Sequence, residues 1–289
     1  MNLKDKHEQV LYPVVRVLTP AKSGQGHIGG SGTVIYSQPN PKDPEEYETF
    51  ILTCEHVIHD AYEWKREIDT MLKRKVDKEF KKQVGVEIFD YVRMSDVNSS
   101  NSYRADIVAY DEHHDIALLK LDSPKRVQYV ANVIPKNAIK DVKVFHETWT
   151  CGCSLLHDPF PNPGNVTYLH EMIENKLYWM GNGHSIFGNS GGAVFSAETG
   201  YQLGITARIT GIQIGFGHDI MTWMGFFVAP QRLYEFFDEQ ELKFLYNPTD
   251  TYEKAMARRK AKEAAMKAMA VQQNANGEGG DDGAPEDGD

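Results

Sequence analysis

The chain has 289 residues, 41% of them hydrophobic, and a formal net charge of −10. That length and apolar content can build a sizeable core, as one large or two ordinary domains. The acidic balance excludes a general affinity for nucleic acid, whose phosphates require a basic surface, yet it is too mild to imply disorder throughout.

The N-terminus, Met1 to Glu8, is polar and lacks the apolar core of a signal peptide. No stretch reaches the length of a membrane span, so the expectation is a cytoplasmic protein with no membrane partner. Val14 to Leu18 reads as a short strand. Thr19 to Gly32 is a loop with five glycines, and Thr33 to Tyr36 is the next strand. A proline-rich turn, Pro39 to Pro44, leads into a strand ending near Val57. Residues 60–83 predict a helical insertion, because Trp64, Ile68, Leu72, Val76 and Phe80 recur every four residues with Met71 beside them. Asp60 and Glu63 suit an N-terminal capping box. Lys65, Arg66, Lys73, Lys75, Lys78, Lys81 and Lys82 fall on the other face, interleaved with acids. That pattern is a solvated face, or a docking face for an acidic partner or RNA. Val84 to Arg93 and Ala105 to Asp111 predict two strands around a polar loop, Ser95 to Ser102. His113 and His114 read as solvated loop residues, with no convincing second pair of metal ligands nearby.

The second half repeats the style. Val142 to Cys153, Asn165 to Glu171, Lys176 to Met180, Ala193 to Ser196, Tyr201 to Thr210 and Met221 to Val228 read as strands. Short strands with glycine and proline turns, and few helices, describe β-barrels. Pro230 opens a helix at its favoured first position, with Leu233, Phe236, Phe237, Leu242 and Leu245 for a packing face. Tyr252 to Val271 predicts a further helix. Asn274 to Asp289 carries six acidic residues among Gly, Ala, Asn and one Pro, and cannot bury enough surface to fold. Cys54, Cys151 and Cys153 are too few for a disulfide framework and read as buried small hydrophobes. No metal or cofactor is expected.

Three stretches carry chemistry. Gly188-Asn189-Ser190-Gly191-Gly192 is a glycine-flanked serine before the apolar run Ala193-Val194-Phe195. Glycine lets the backbone turn sharply there, which can aim the Ser190 hydroxyl outward and converge two amides on one spot. A serine hydroxyl needs a base, and the base needs an orienting acid. His56 ends the strand-like run Phe50 to Thr53, and Asp115 opens Ile116-Ala117-Leu118-Leu119. Asp106 and Asp111 compete for the acid role, but the alternating apolar strand starts directly after Asp115.

Thr53-Cys54-Glu55-His56, Asp115-Ile116-Ala117-Leu118-Leu119 and Gly188-Asn189-Ser190-Gly191-Gly192 resemble, in this order, the T-A-A-H, D-I-A-L-L and G-D-S-G-G motifs of the trypsin/chymotrypsin-like serine proteases. Asn189 and the Val57 after the histidine are more similar to the HtrA-type branch. The resemblance covers about residues 10 to 245. It implies an all-β fold of two six-stranded antiparallel β-barrels, 10–125 carrying His56 and Asp115 and 126–245 carrying Ser190, with a closing helix at 230–245. Residues 246–289 remain as a helical, then disordered, acidic tail. That tail is too short for the PDZ domain usual in HtrA-type proteases. The tail or the 60–83 insertion is the expected place for any assembly partner.

The resemblance also implies a function: hydrolysis of polypeptide by a His56–Asp115–Ser190 triad through an acyl-enzyme. Gly188 and Ser190 amides, helped by that of Asn189, would hold the oxyanion. His184 and Ser185 fall at the base of the primary pocket, and Ala207, Arg208 and Ile209 on the strand that pairs with substrate. No aspartate sits at that base, which argues against a Lys or Arg preference. His184 and Arg208 suit an acidic side chain. Asn189 cannot form the ion pair that activates trypsin-like zymogens. The alternative is an inactive or latent module of the same fold, binding peptides along 207–209 by strand addition.

Overall fold

The computed structural model describes residues 1–69, 74–215 and 217–277. Strands β1 (Val14–Pro20), β2 (His27–Asn40) and β3 (Asp43–Thr53) follow a short N-terminal helix, α1 (Leu3–Lys6). After α2 (Glu55–Ile58) come β4 (Tyr62–Asp69), β5 (Arg74–Lys81), β6 (Val84–Val92), β7 (Asp96–Asp111) and β8 (Ile116–Leu121). The second half holds β9 (Glu147–Gly152), β10 (Phe160–Ile173), β11 (Lys176–Gly181), β12 (Ala193–Ser196), β13 (Gln202–Ile214) and β14 (Gly217–Val228). Helices α3 (Pro230–Glu239) and α4 (Tyr252–Gly277) close the chain.

Two six-stranded barrels result, in the orders β1-β2-β3-β8-β7-β6 and β10-β11-β14-β13-β12-β9, as expected. Neighbouring strands run antiparallel. The reason lies in the side chains. In β8, Ile116, Ala117, Leu118 and Leu119 are all buried, so that strand is covered on both faces. Val15, Val17, Val34, Ile51 and Val86 fill the first interior, and Trp179 and Phe227 pair on one face of the second, while Phe195 is buried outside it with Val10, Leu11 and Val14. Cys54, Cys151 and Cys153 are free thiols in these cores; burial pushes Cys153 up to about 12 and the other two well above the ordinary range.

By its contacts the chain divides into two units, 1–64 with 79–236 and 65–78 with 237–289. The first contains both barrels. In the second, Arg258 binds Asp250 at 2.6 and 2.9 Å and Glu241 at 3.2 Å, which anchors the start of α4.

The expected helix at 60–83 is instead the two-stranded hairpin β4–β5. The reason is arithmetic: a spacing of four is close to one helical turn, but it is also twice the strand period of two. Trp64 and Ile68 share one face of β4, as Val76 and Phe80 share one of β5. Trp64 and Ile68 are 59% and 69% exposed, so no core pulls this stripe into a helix. Asp60 accepts from the Lys22 amide at 2.9 Å rather than starting a capping box. The charges pair across the hairpin, Arg66 with Asp77 and Lys78 with Glu67, rather than forming one basic face. Met71, Leu72 and Lys73 lie outside the described residues.

Three smaller expectations also shift. The polar loop 95–102 is largely strand, because β6 and β7 turn at Arg93 and Met94, both left-handed with φ of 48° and 68°. The closing helix stops at Glu239, with Glu241 left-handed (φ 60°) and a 3-10 turn at Lys243–Leu245. Helix α4 runs on to Gly277, and 278–289 lie outside the described residues.

Asp111 ties β7 to α3 and to the turn before Asp115. It accepts from the His114 amide at 3.0 Å, His114 Nδ1 at 2.8 Å and Arg232 Nη2 at 2.6 Å. Burial alone would raise its carboxyl, but the His114 amide, the Arg232 guanidinium and the His114 ring outweigh it and hold it below the usual carboxylate range. A carboxyl lowered in the folded state stabilises above its unfolded pKa, and that contribution is lost as pH falls through the folded value. Asp111→Asn is therefore expected to cost about 1–3 kcal/mol near neutrality, by the worth of hydrogen bonds to charged groups. The gap to the parent protein narrows as pH falls through the carboxylate range. Urea unfolding of both proteins at about pH 7 and about pH 3 reads this directly.

Candidate active site

The site is assembled from three chain turns. Helix α2 starts right after β3 and carries His56 near the N-terminus of a single turn. Asp115 occupies the turn between β7 and β8 in the left-handed region, φ 60°. Its Oδ1 accepts from the His56 backbone N–H at 2.9 Å, and its two oxygens lie 2.9 and 2.8 Å from His56 Nδ1. One carboxylate therefore fixes both the backbone and the ring of the histidine. The acid is mostly covered while the imidazole is 46% exposed, so its free edge faces outward.

Ser190 sits in the connection between β11 and β12. Glycines set its shape. Gly188 and Gly191 have φ of 94° and 87°. A Cβ on Gly191 would lie 2.0 Å from the Ser31 carbonyl oxygen, and one on Gly188 would lie 2.5 Å from that of Cys153. Ser190 bridges the barrels: its carbonyl accepts from the Ser31 amide at 2.7 Å, and the next amide, Gly191, donates to Thr206 at 2.9 Å. Gly30 must stay small, because a Cβ there would lie 2.9 Å from the Ser190 carbonyl oxygen.

The turn is braced by side chains of which the motifs contain only Asn189. Fully buried Ser31 donates from Oγ to the Gly188 carbonyl at 2.7 Å and accepts from the Cys153 amide at 2.7 Å. Asn189 is buried; its Oδ1 accepts from Ser154 Oγ at 2.7 Å and its Nδ2 donates to Ser185 Oγ at 3.3 Å. Neutral partners thus satisfy Asn189 where a carboxylate would need a cation. Cys54 lies behind the acid: its thiol donates to the Thr206 carbonyl at 3.2 Å, and Cys54, His56 and Asp115 present their polar atoms within 4.8 Å of one another. The thiol is kept neutral by burial first and by Asp115 second, which disfavours it as a metal ligand.

Among the described residues, the Gly188 and Ser190 amides have no acceptor, so both are available to a ligand. The Asn189 amide is not, because it donates to the Ile186 carbonyl at 3.1 Å. This corrects the expectation of a third amide. Ser190 Oγ forms no hydrogen bond with His56 among the described residues, a looseness common in unliganded sites.

The expected specificity residues separate. Ser185 is buried and lines a cavity of about 10 Å3 with Gly181, Thr206, Gly225 and Phe226, space for one water. His184 is not in that cavity. It faces outward, its Nδ1 2.9 Å from Thr222 Oγ1, and lines a separate groove of about 550 Å3 beside Trp149 and Asn165. Arg208 is engaged with Glu174 at 2.8 Å and lies over the Tyr178 ring, so its charge does not stand free for an acidic side chain. Ala207 falls at a bulge, since β13 shifts register against β14 between Thr206 and Arg208. Past Ile205, β13 pairs with β14 and no longer with β12, which leaves 207–209 an open edge.

Residues 30–205 match the trypsin-like peptidase domain family, and the chain belongs to that family. Among solved structures, the HtrA-type protease AlgW with a tripeptide is similar in fold, with a TM-score of 0.57, 14% sequence identity and 86% of this chain covered. This chain spans 65% of the length of that one. No curated protein sequence matches it. No described helix is long and apolar enough to cross a membrane.

Proposed function

We propose that the chain is a serine endopeptidase in which Ser190 is the nucleophile, His56 the general base and Asp115 its orienting acid. The carrying observation is the double grip of Asp115 on His56, at the ring and at the backbone, beside a serine turn whose two amides are unoccupied. With Nδ1–H donated to Asp115, His56 keeps Nε2 as the acceptor for the Ser190 proton. Ser190 Oγ then attacks the peptide carbonyl carbon. The developing oxyanion takes hydrogen bonds from the Gly188 and Ser190 N–H groups. His56 returns the proton to the leaving amine, the C–N bond breaks, and water repeats the sequence on the acyl-enzyme. Substrate adds as a strand to 207–209, the open edge of β13. Asn189 needs no cationic partner, which supports a site assembled without N-terminal cleavage.

A latent module is the second reading. The small primary cavity and the missing Ser190–His56 hydrogen bond favour it in the resting state. Turnover of a quenched fluorescent casein separates the two. Product in many-fold molar excess over protein, absent in His56→Ala, supports the peptidase; no turnover by the folded chain supports latency.

A further inference from the structure

Glu55 is a buried carboxylate that the proposed mechanism does not use. It stands directly before His56, where the T-A-A-H motif has a small residue, and it is 4% exposed. A carboxylate so buried needs hydrogen-bond donors. Its Oε1 takes two: the His59 ring donates from Nδ1 at 2.7 Å, and the Tyr62 hydroxyl donates as well. Burial first, and then Glu55 itself, raises the Tyr62 phenol, so that hydroxyl stays a donor.

These two bonds matter because of what lies between their ends. Helix α2 is a single turn, and its N-cap residue Cys54 makes no side-chain capping bond. A helix that short has no stability of its own. At Ile58 the backbone leaves helical geometry (φ −108°, ψ 1°) and enters a 3-10 turn, His59–Ala61. Glu55 ties the first residue of α2 to that turn and to Tyr62, the first residue of β4. One carboxylate thus closes a loop around His56.

The far end of that loop is fixed in turn. The Tyr62 ring stacks on Tyr110 of β7, with centroids 4.2 Å apart and planes at 26°. The Tyr110 hydroxyl donates to Glu79 at 2.6 Å and accepts from Trp64 Nε1 at 3.1 Å. Tyr110 is on the strand that leads into the turn carrying Asp115. The segment of the histidine and the strand of the aspartate therefore share one contact. We infer that Glu55, acting through His59 and Tyr62, is a positioning residue that holds the helix bearing His56 against the strand bearing Asp115. This inference rests on the reading of His56 as general base.

The test compares the parent protein with Glu55→Ala, Glu55→Gln and Tyr62→Phe on one quenched fluorescent peptide, each assayed well below its own unfolding temperature. Glu55→Ala is expected to lower kcat about 10- to 100-fold with KM within about twofold, the scale on which a misplacement of about 1 Å acts. Glu55→Gln is expected to stay within about threefold of the parent, because both donors rest on one oxygen and an amide oxygen accepts two. Tyr62→Phe keeps the stacked ring and loses only the hydroxyl, and is expected to lower kcat about fivefold, the worth of one hydrogen bond. Proton NMR of the same proteins reads the His56 Nδ1–H signal, expected to be kept in Glu55→Gln and shifted or lost in Glu55→Ala. A merely structural role lowers the unfolding temperature and leaves both kcat and that signal in place, which would overturn the inference. Equal losses in Glu55→Ala and Glu55→Gln would overturn it too. If Glu55→Ala does not fold, an unchanged kcat in Tyr62→Phe does the same. His56→Ala is assayed alongside: if the parent turns over no faster than that variant, the reading of His56 as base fails, and this inference with it.

Discussion

Ser190→Ala is expected to lower kcat on a peptide substrate by about 10^6-fold, the scale seen when a triad nucleophile is removed. The fold predicts almost no accompanying loss of stability. Ser190 Oγ has no hydrogen bond to lose among the described residues, and the contacts that hold the turn belong to backbone atoms of residues 188–192 and to the side chains of Ser31, Asn189 and Ser154. A variant that folds and melts like the parent but does not turn over assigns the loss to chemistry. Stopped turnover with unchanged thermal unfolding checks this; activity within tenfold of the parent would remove Ser190 from the mechanism.

Asp115→Asn is expected to cost about 10^4-fold in kcat, by inverting the histidine tautomer. The carboxylate accepts from two donors, the His56 N–H and Nδ1–H. An asparagine has one acceptor oxygen. If that oxygen stays on the backbone N–H, its NH2 group faces Nδ1, which must then be unprotonated. The proton moves to Nε2, and the base can no longer accept from Ser190. Asparagine suits this test because Asp115 is left-handed, a conformation Asn tolerates and Ala does not. Nitrogen NMR of His56 in both proteins reads the tautomer independently of rate.

The strands are legible because a strand in a barrel writes period two or a continuous apolar run into its sequence, whereas the two six-stranded barrels follow from the family resemblance. Ile116 to Leu119 is such a run, and it also located Asp115. The serine turn was legible because its glycines have no substitute at φ near 90°, whatever the rest of the chain does. The insertion misleads for a physical reason: positions 64, 68, 76 and 80 satisfy a helix and a strand face alike, and none of them is fully buried to separate the two. The bracing of the turn was not legible. Ser31 and Gly188 are 157 positions apart, and nothing local in either marks the bond between them. Nor does the Leu155-Leu156 pair announce its left-handed backbone, with φ of 52° and 61°, since its own propensity opposes it. Nor does the sequence around Arg208 mark its ion pair with Glu174, which reaches it from another hairpin.

The most direct measurement is active-site labelling with a fluorophosphonate, read by intact mass and peptide mapping, on the parent protein, His56→Ala and Ser190→Ala. A hydroxyl activated by His56 predicts one adduct, on Ser190, in the parent protein and none in either variant. A folded parent protein that takes no label, or a label that persists without Ser190, would contradict the account.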